Sequence, residues 1–346
     1  MGKFTKYKFD LNMAHPRNFL YKKSINPATD IQVVHYTEEQ IQKYAEYIER
    51  ILTSLPDDKR RVMVTVYGGD FLKEISGITK FVEALKTAVD WFFLSIPPTG
   101  IQNYTDGLYN LSHACDSKLA VDIECTAEDL LTPSEFTVDS IIYNIRWLFG
   151  RNLGGYVKVF ISSVDSIPAV FDVYTNLVQI VPNVRFELML DYTADIDVTC
   201  NEGTLEALEA IASILKSDPV IRKNFAYSPP QGVRTGQLPK ALFGNIMSVM
   251  TEGGVIYPGY DVSMITDKAV DDLAIGTVDD DISDIIGKRN TLLRAVPVKY
   301  DYTNVDNLYR VTPWDDKDGV GYNMIPTESA KQLHNILVTY LSTRGV

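Results

Sequence analysis

The sequence predicts an α/β fold: a partial parallel barrel of six strand–helix units, (β/α)6 and TIM-like, with a small irregular C-terminal extension. Three observations predict it. Strand-like apolar runs alternate with helical stripes over the first 217 residues, the connections between them are short, and beyond Pro219 closely spaced Pro and Gly residues break the pattern. With 346 residues, 45% of them hydrophobic and 23% charged, the chain has the composition and length to bury a sizeable core.

Phe9, Leu11 and Met13 alternate with polar residues, so residues 7–13 read as a first, half-buried strand. Thr37 and Gln40 form a capping-box signature ahead of Ile41, Tyr44, Ala45, Ile48, Ile51, Leu52 and Leu55 at helical spacing; Pro56 ends that helix. The β-branched run Val62 to Tyr67 is a second strand that delivers its end into Gly68-Gly69, and a helix carrying Ile78, Phe81, Val82 and Leu85 follows. Trp91 to Ile96, closed by Pro97-Pro98, reads as a strand buried on both faces. Residues 119–123 give a fourth strand, a helix starts near Thr137 and stops at Gly150, 157–161 give a fifth strand, 170–180 a helix and 186–190 a sixth strand.

This divides the chain into a barrel over 1–218 and an extension over 219–346. The extension contains Asp267, Asp271, Asp272, Asp279, Asp280, Asp281 and Asp284, which lack the ligand spacing and central glycine of a calcium loop and read as a solvated face. Tyr257, Tyr260, Tyr300, Tyr302, Tyr309 and Tyr322 also concentrate there, and tyrosine suits protein or peptide contact surfaces.

A formal net charge of −12, with no basic cluster, argues against nucleic acid and anionic membranes as partners. Cys115, Cys125 and Cys200 are too few and scattered for a disulfide framework or a four-thiolate metal site. No signal-peptide core or run of eighteen apolar residues is present, so a cytoplasmic, reducing location is expected.

In parallel barrels ligands sit at the C-terminal ends of the strands. After the first strand comes Met13-Ala14-His15-Pro16-Arg17-Asn18-Phe19-Leu20-Tyr21-Lys22-Lys23-Ser24, and after the second comes Tyr67-Gly68-Gly69-Asp70-Phe71-Leu72. This pairing resembles the radical S-adenosylmethionine superfamily, where a strand leads into a Cys-x3-Cys-x2-Cys loop and a second strand ends in Gly-Gly-Glu. Gly253-Gly254-Val255-Ile256-Tyr257-Pro258-Gly259 and Ala274-Ile275-Gly276-Thr277 resemble segments of that family's auxiliary-cluster (SPASM) extension.

The departure from the family concerns the chemistry. Aligning Asn18 with the asparagine that follows the first cluster cysteine puts Arg17, Tyr21 and Ser24 at the three cysteine positions, and Gly259 replaces a cysteine of the extension. A guanidinium donates no lone pair to a metal, and phenol and hydroxyl are hard donors in a site built for sulfur. The resemblance therefore implies a relative without an iron–sulfur cluster. Gly68, Gly69, Asp70, Arg17 and Asn18 then form a residual cofactor site, which leaves weak S-adenosylmethionine or nucleotide binding open but not reductive cleavage. The resulting expectation is a pseudoenzyme that binds a ligand or acts as a scaffold. The alternatives are an assembly component of a larger complex and an enzyme with cluster-independent chemistry at the same barrel mouth.

Each of these signals also has a structural reading. Gly68-Gly69-Asp70 is also a tight turn with a helix cap. His15 lacks a partner at motif spacing and reads as structural. Arg17 either pairs with a ligand's phosphate or carboxylate or fills the former cluster void by pairing with Asp70. Asp122 and Glu124 are candidates for an acid/base pair, but alternation along the strand is taken to turn them to opposite faces. The run Gly150 to Gly155 lies after a helix and before a strand, the reverse of a phosphate loop, and is discounted.

Overall fold

The computed structural model describes residues 5–13, 36–55, 60–68, 71–96, 101–131, 138–191, 196–227, 246–250, 252–258, 274–299, 309–316, 319–326 and 328–341. One sheet organises them. Its strands are β1 (Thr5–Asn12), β2 (Arg60–Tyr67), β3 (Trp91–Ile96), β4 (Leu119–Thr126), β5 (Gly154–Ile161), β6 (Phe186–Leu190), β7 (Phe225–Tyr227), β8 (Ile246–Met250), β9 (Val255–Pro258) and β10 (Gly276–Thr277). They lie in the order β10-β9-β8-β1-β2-β3-β4-β5-β6-β7.

β1 to β7 pair consecutively and in parallel, and β8 adds to the other side of β1, also parallel. Right-handed crossovers between strands that never reverse direction of addition place every connecting helix on one face, which separates this sheet from a doubly wound one. Those helices are α1 (Glu38–Ser54), α2 (Ile75–Leu85), α3 (Thr105–Ala114), α4 (Ala127–Leu131), α5 (Val138–Gly150), α6 (Ser166–Ile180), α7 (Glu202–Ser217) and the short α8 (Pro219–Asn224). The fold is thus α/β, and its sheet does not close. The outer edge of β8, which a closing β7 would need, is taken by antiparallel β9, with β10 beyond it.

The core lies between the sheet and the helices. Phe9, Leu11, Val62, Val64, Val66, Phe92, Leu94, Ile96, Val121, Ile123, Val157, Val159, Phe186 and Leu188 point that way and are buried. Helix α1 starts as its sequence dictates: the Thr37 side chain accepts from the Gln40 amide, and the Gln40 side-chain oxygen accepts from the Thr37 amide. Its Tyr44 hydroxyl is 2.9 Å from the Asp10 carbonyl and 3.2 Å from that of Ser248, so one side chain fastens the helix to both β1 and β8.

The segment after residue 218 adds more regular structure than its punctuation suggests. Besides β7 to β10 it forms α9 (Ile282–Lys299), a hairpin of β11 (Tyr309–Asp316) and β12 (Gly319–Pro326), and α10 (Glu328–Leu341). Ala330, Leu333, Leu337 and Leu341 form the buried stripe of α10, which packs on α7 and β7. Asp284 is in the first turn of α9, and Asp279, Asp280 and Asp281 lie at the turn into that helix. There Lys43 of α1 pairs with Asp279 at 3.2 Å, and Arg50 donates to the Val278 carbonyl at 2.6 Å. Asp267, Asp271 and Asp272 lie outside the described residues. Among the described residues no helix is long and apolar enough to cross a membrane.

Candidate functional site

The strand face opposite the helices is polar. Lys8, Asp10 and Asn12 of β1, Thr65 of β2, Ser95 of β3, Asp122 and Glu124 of β4, Lys158 of β5 and Glu187 of β6 all have the parity of this inner face. Buried apolar positions alternate with them along each strand. Although polar, Asp10, Asn12, Thr65, Ser95, Asp122 and Glu124 are buried, with exposures of 9% or less. Lys8 pairs with Asp10 at 3.1 Å. Asp191, just past β6 at the mouth, is also buried.

The densest part of this face is a cluster across β3, β4 and β5. Lys158 Nζ lies 2.7 Å from Asp122 Oδ2 and 3.4 Å from Glu124 Oε1, and Ser95 Oγ donates to the same Glu124 oxygen at 3.0 Å. Asp122 Oδ1 accepts the Tyr156 amide at 2.9 Å. Burial alone would lower the Lys158 pKa, but Glu124, Asp122 and Glu187 outweigh it and hold the ammonium above the ordinary lysine value. Lys158 is therefore a fixed cation at neutral pH and cannot serve as a base or amine nucleophile.

Gly155 makes this geometry feasible. A Cβ there would lie 2.1 Å from Asp122 Oδ1, closer than any side chain tolerates. The register shifts between Val121 and Ile123 against β5, and this irregularity brings the Tyr156 amide onto the carboxylate. Gly155, from the glycine-rich run discounted as a phosphate loop, thus permits a close approach of backbone to carboxylate.

Sequence reasoning and structure part at β4. Asp122 and Glu124 do not point to opposite faces: they are two residues apart, a strand has a period of two, and both turn inward onto one lysine. Sequence reasoning also missed Lys158 and Ser95. The usable signal was a lysine inside the otherwise apolar run Val157 to Ile161 and a serine inside Trp91 to Ile96.

Of the five residues assigned to a residual cofactor site, Gly68 is described: it follows β2 with φ +83°, a left-handed turn that favours glycine. Gly69, Asp70, Arg17 and Asn18 lie outside the described residues, as do His15, Tyr21, Ser24 and Gly259. Gly253 and Gly254 form a turn into β9, where Tyr257 is buried. Tyr260, Tyr300 and Tyr302 lie outside the described residues, and Tyr309 and Tyr322 occupy positions in β11 and β12.

Cys115 and Cys125 are buried on separate elements, and burial pushes both thiols above the ordinary range. Among the described residues no group of three or more His, Cys, Asp or Glu side chains is placed to hold a metal ion. On the exposed side of α5, Tyr143, Arg146, Trp147 and Arg151 line a groove in which the Arg151 guanidinium lies 4.5 Å from the Trp147 ring centroid.

No family model matches the chain, and no curated protein matches it. Among solved structures, the chain is similar to that of hexahistidine-tagged anSMEcpe with bound AdoMet. The two share 11% sequence identity with a TM-score of 0.49, over 97% of this chain and 96% of that one.

Proposed function

We propose that this chain is a cluster-free relative of radical S-adenosylmethionine proteins that binds a ligand at the mouth and inner face of its open barrel. The observation that carries this reading is the donor set Arg17, Tyr21 and Ser24 where the resembled family has three cysteines. A cationic guanidinium and two hard oxygen donors do not fit an iron–sulfur cluster, so no step is derived through one. Barrel architecture and a polar, buried inner face support binding. The weak cofactor site of Gly68, Gly69, Asp70, Arg17 and Asn18 belongs to the same reading, as do residence in the cytoplasm and a protein or peptide partner at the Tyr-rich C-terminal part. The division into a barrel over 1–218 and an extension over 219–346 belongs to this reading as a division of the sequence into two parts, without independent folding of either.

One observation favours a second reading, an enzyme with cluster-independent chemistry. Ser95, Asp122, Glu124 and Lys158 converge within hydrogen-bond reach. With Lys158 held protonated and Asp122 occupied on both oxygens, the cluster is better equipped to position a ligand than to move protons.

Anaerobic reconstitution with iron and sulfide tests the first reading. The expected product is colourless protein with substoichiometric iron, whereas a stoichiometric cluster with visible absorbance would end the proposal.

A further inference from the structure

We propose that the inner face binds an organic cation, a ligand that presents a protonated amine or guanidinium group to the Glu124 carboxylate. The inference deepens the binding reading above and rests on it for the ligand's location. Two independent observations converge on it. The first is charge: Asp122, Glu124 and Glu187 act on a single ammonium, that of Lys158. The second is an unsatisfied atom. Ser95 from β3 and Lys158 from β5 both reach Oε1 of Glu124, while Oε2 is buried and accepts no hydrogen bond among the described residues, on a side chain only 7% exposed.

The chemistry of the missing partner follows. A carboxylate oxygen only accepts, so the partner is a donor, and a buried acceptor left without one is costly. The excess of negative charge selects a cationic donor over a neutral one and rejects an anion. The number of free acceptors then selects the kind of cation. Asp122 Oδ1 is used by the Tyr156 amide and Asp122 Oδ2 by Lys158, which leaves Glu124 Oε2 as the open oxygen of this pair. A divalent metal needs several convergent oxygens, whereas one directional N–H donor needs one.

Isothermal titration calorimetry on the full, metal-free chain tests this with putrescine and agmatine as probes and 1,4-butanediol as the neutral match to putrescine. Saturable single-site binding of at least one of the two cations is expected, with no measurable heat from the diol. Glu124→Gln, which keeps the shape of the side chain but removes its charge, should weaken that binding about tenfold or more. The amine-to-diol comparison needs no variant, so the inference stays testable if Glu124→Gln does not fold. No binding of either cation at millimolar concentration, equal binding of the diol, unchanged affinity in a folded Glu124→Gln protein, or saturable binding of Mg2+ in place of the amines would each overturn it. Reconstitution and titration fail separately: a cluster with amine binding removes only the cluster-free reading, and a clusterless protein deaf to amines removes only this inference.

Discussion

At the scale of single residues, the inner-face cluster depends on an absence. Gly155 has no side chain because Asp122 Oδ1 occupies the place of a Cβ, and the strand irregularity that brings the Tyr156 amide onto the same oxygen leaves no slack. Gly155→Ala must therefore move either β5 or the Asp122–Lys158 pair. Overpacking together with loss of a buried ion pair should destabilise the protein by about 2 kcal/mol or more. Gly150→Ala, at the end of α5, meets nothing within 4 Å and should stay within about 0.5 kcal/mol of the parent. Urea denaturation of the two variants distinguishes them, and equal midpoints would refute the close-approach role. The sequence showed a glycine-rich run but not which glycine mattered, because the clash partner is a carboxylate on a neighbouring strand.

Element by element, legibility followed local encoding. The Thr37–Gln40 box, the stripe of α1 and the run Trp91 to Ile96 are local patterns, and the structure forms each where the sequence places it. α10 was legible in principle, since Ala330, Leu333, Leu337 and Leu341 recur at helical spacing, but the Pro and Gly punctuation preceding it suggested only short pieces. α9 carries Pro297 near its end, which weakens a helical reading further. β7 has three residues and is a strand only because β6 lies beside it. Docking of α10 on β7 carries its own titration. The Tyr227 hydroxyl lies 2.9 Å from His334 Nδ1, and burial lowers the histidine's pKa from 6.5. A lowered folded-state value means the unfolded chain takes up the proton first. The contribution is complete above about pH 6.5 and is lost as pH falls through the folded value. His334→Gln should thus show a flatter decline in thermal midpoint between about pH 7 and pH 5 than the parent. Parallel profiles for the two proteins would remove this role for the histidine.

For the whole molecule, the sheet's connectivity decides what can be cut. A boundary between residues 218 and 219 follows the change in sequence punctuation, yet the contacts that cross it are core contacts. Phe225 of β7 packs edge-on against Phe171, tilted against Tyr174 and stacked on Phe186, with ring centroids 5.0 to 6.4 Å apart. β8 pairs with β1, and the Tyr44 hydroxyl loses its Ser248 partner without it. Removing one buried phenylalanine alone costs about 3–5 kcal/mol, a large share of the roughly 5–15 kcal/mol that holds a typical domain. A fragment of residues 1–218 would keep β1 to β6 and their helices while uncovering the faces that β7, β8 and α10 occupy. It should therefore melt with low cooperativity and bind a hydrophobic dye, even though its far-ultraviolet dichroism retains α/β character. A sharp transition at the midpoint of the full chain would instead establish 1–218 as an independent domain. The barrel's openness is then a consequence of how the extension is built in: β9 occupies the edge that β7 would need, so the strands that support the inner face on one side belong to the C-terminal part of the chain.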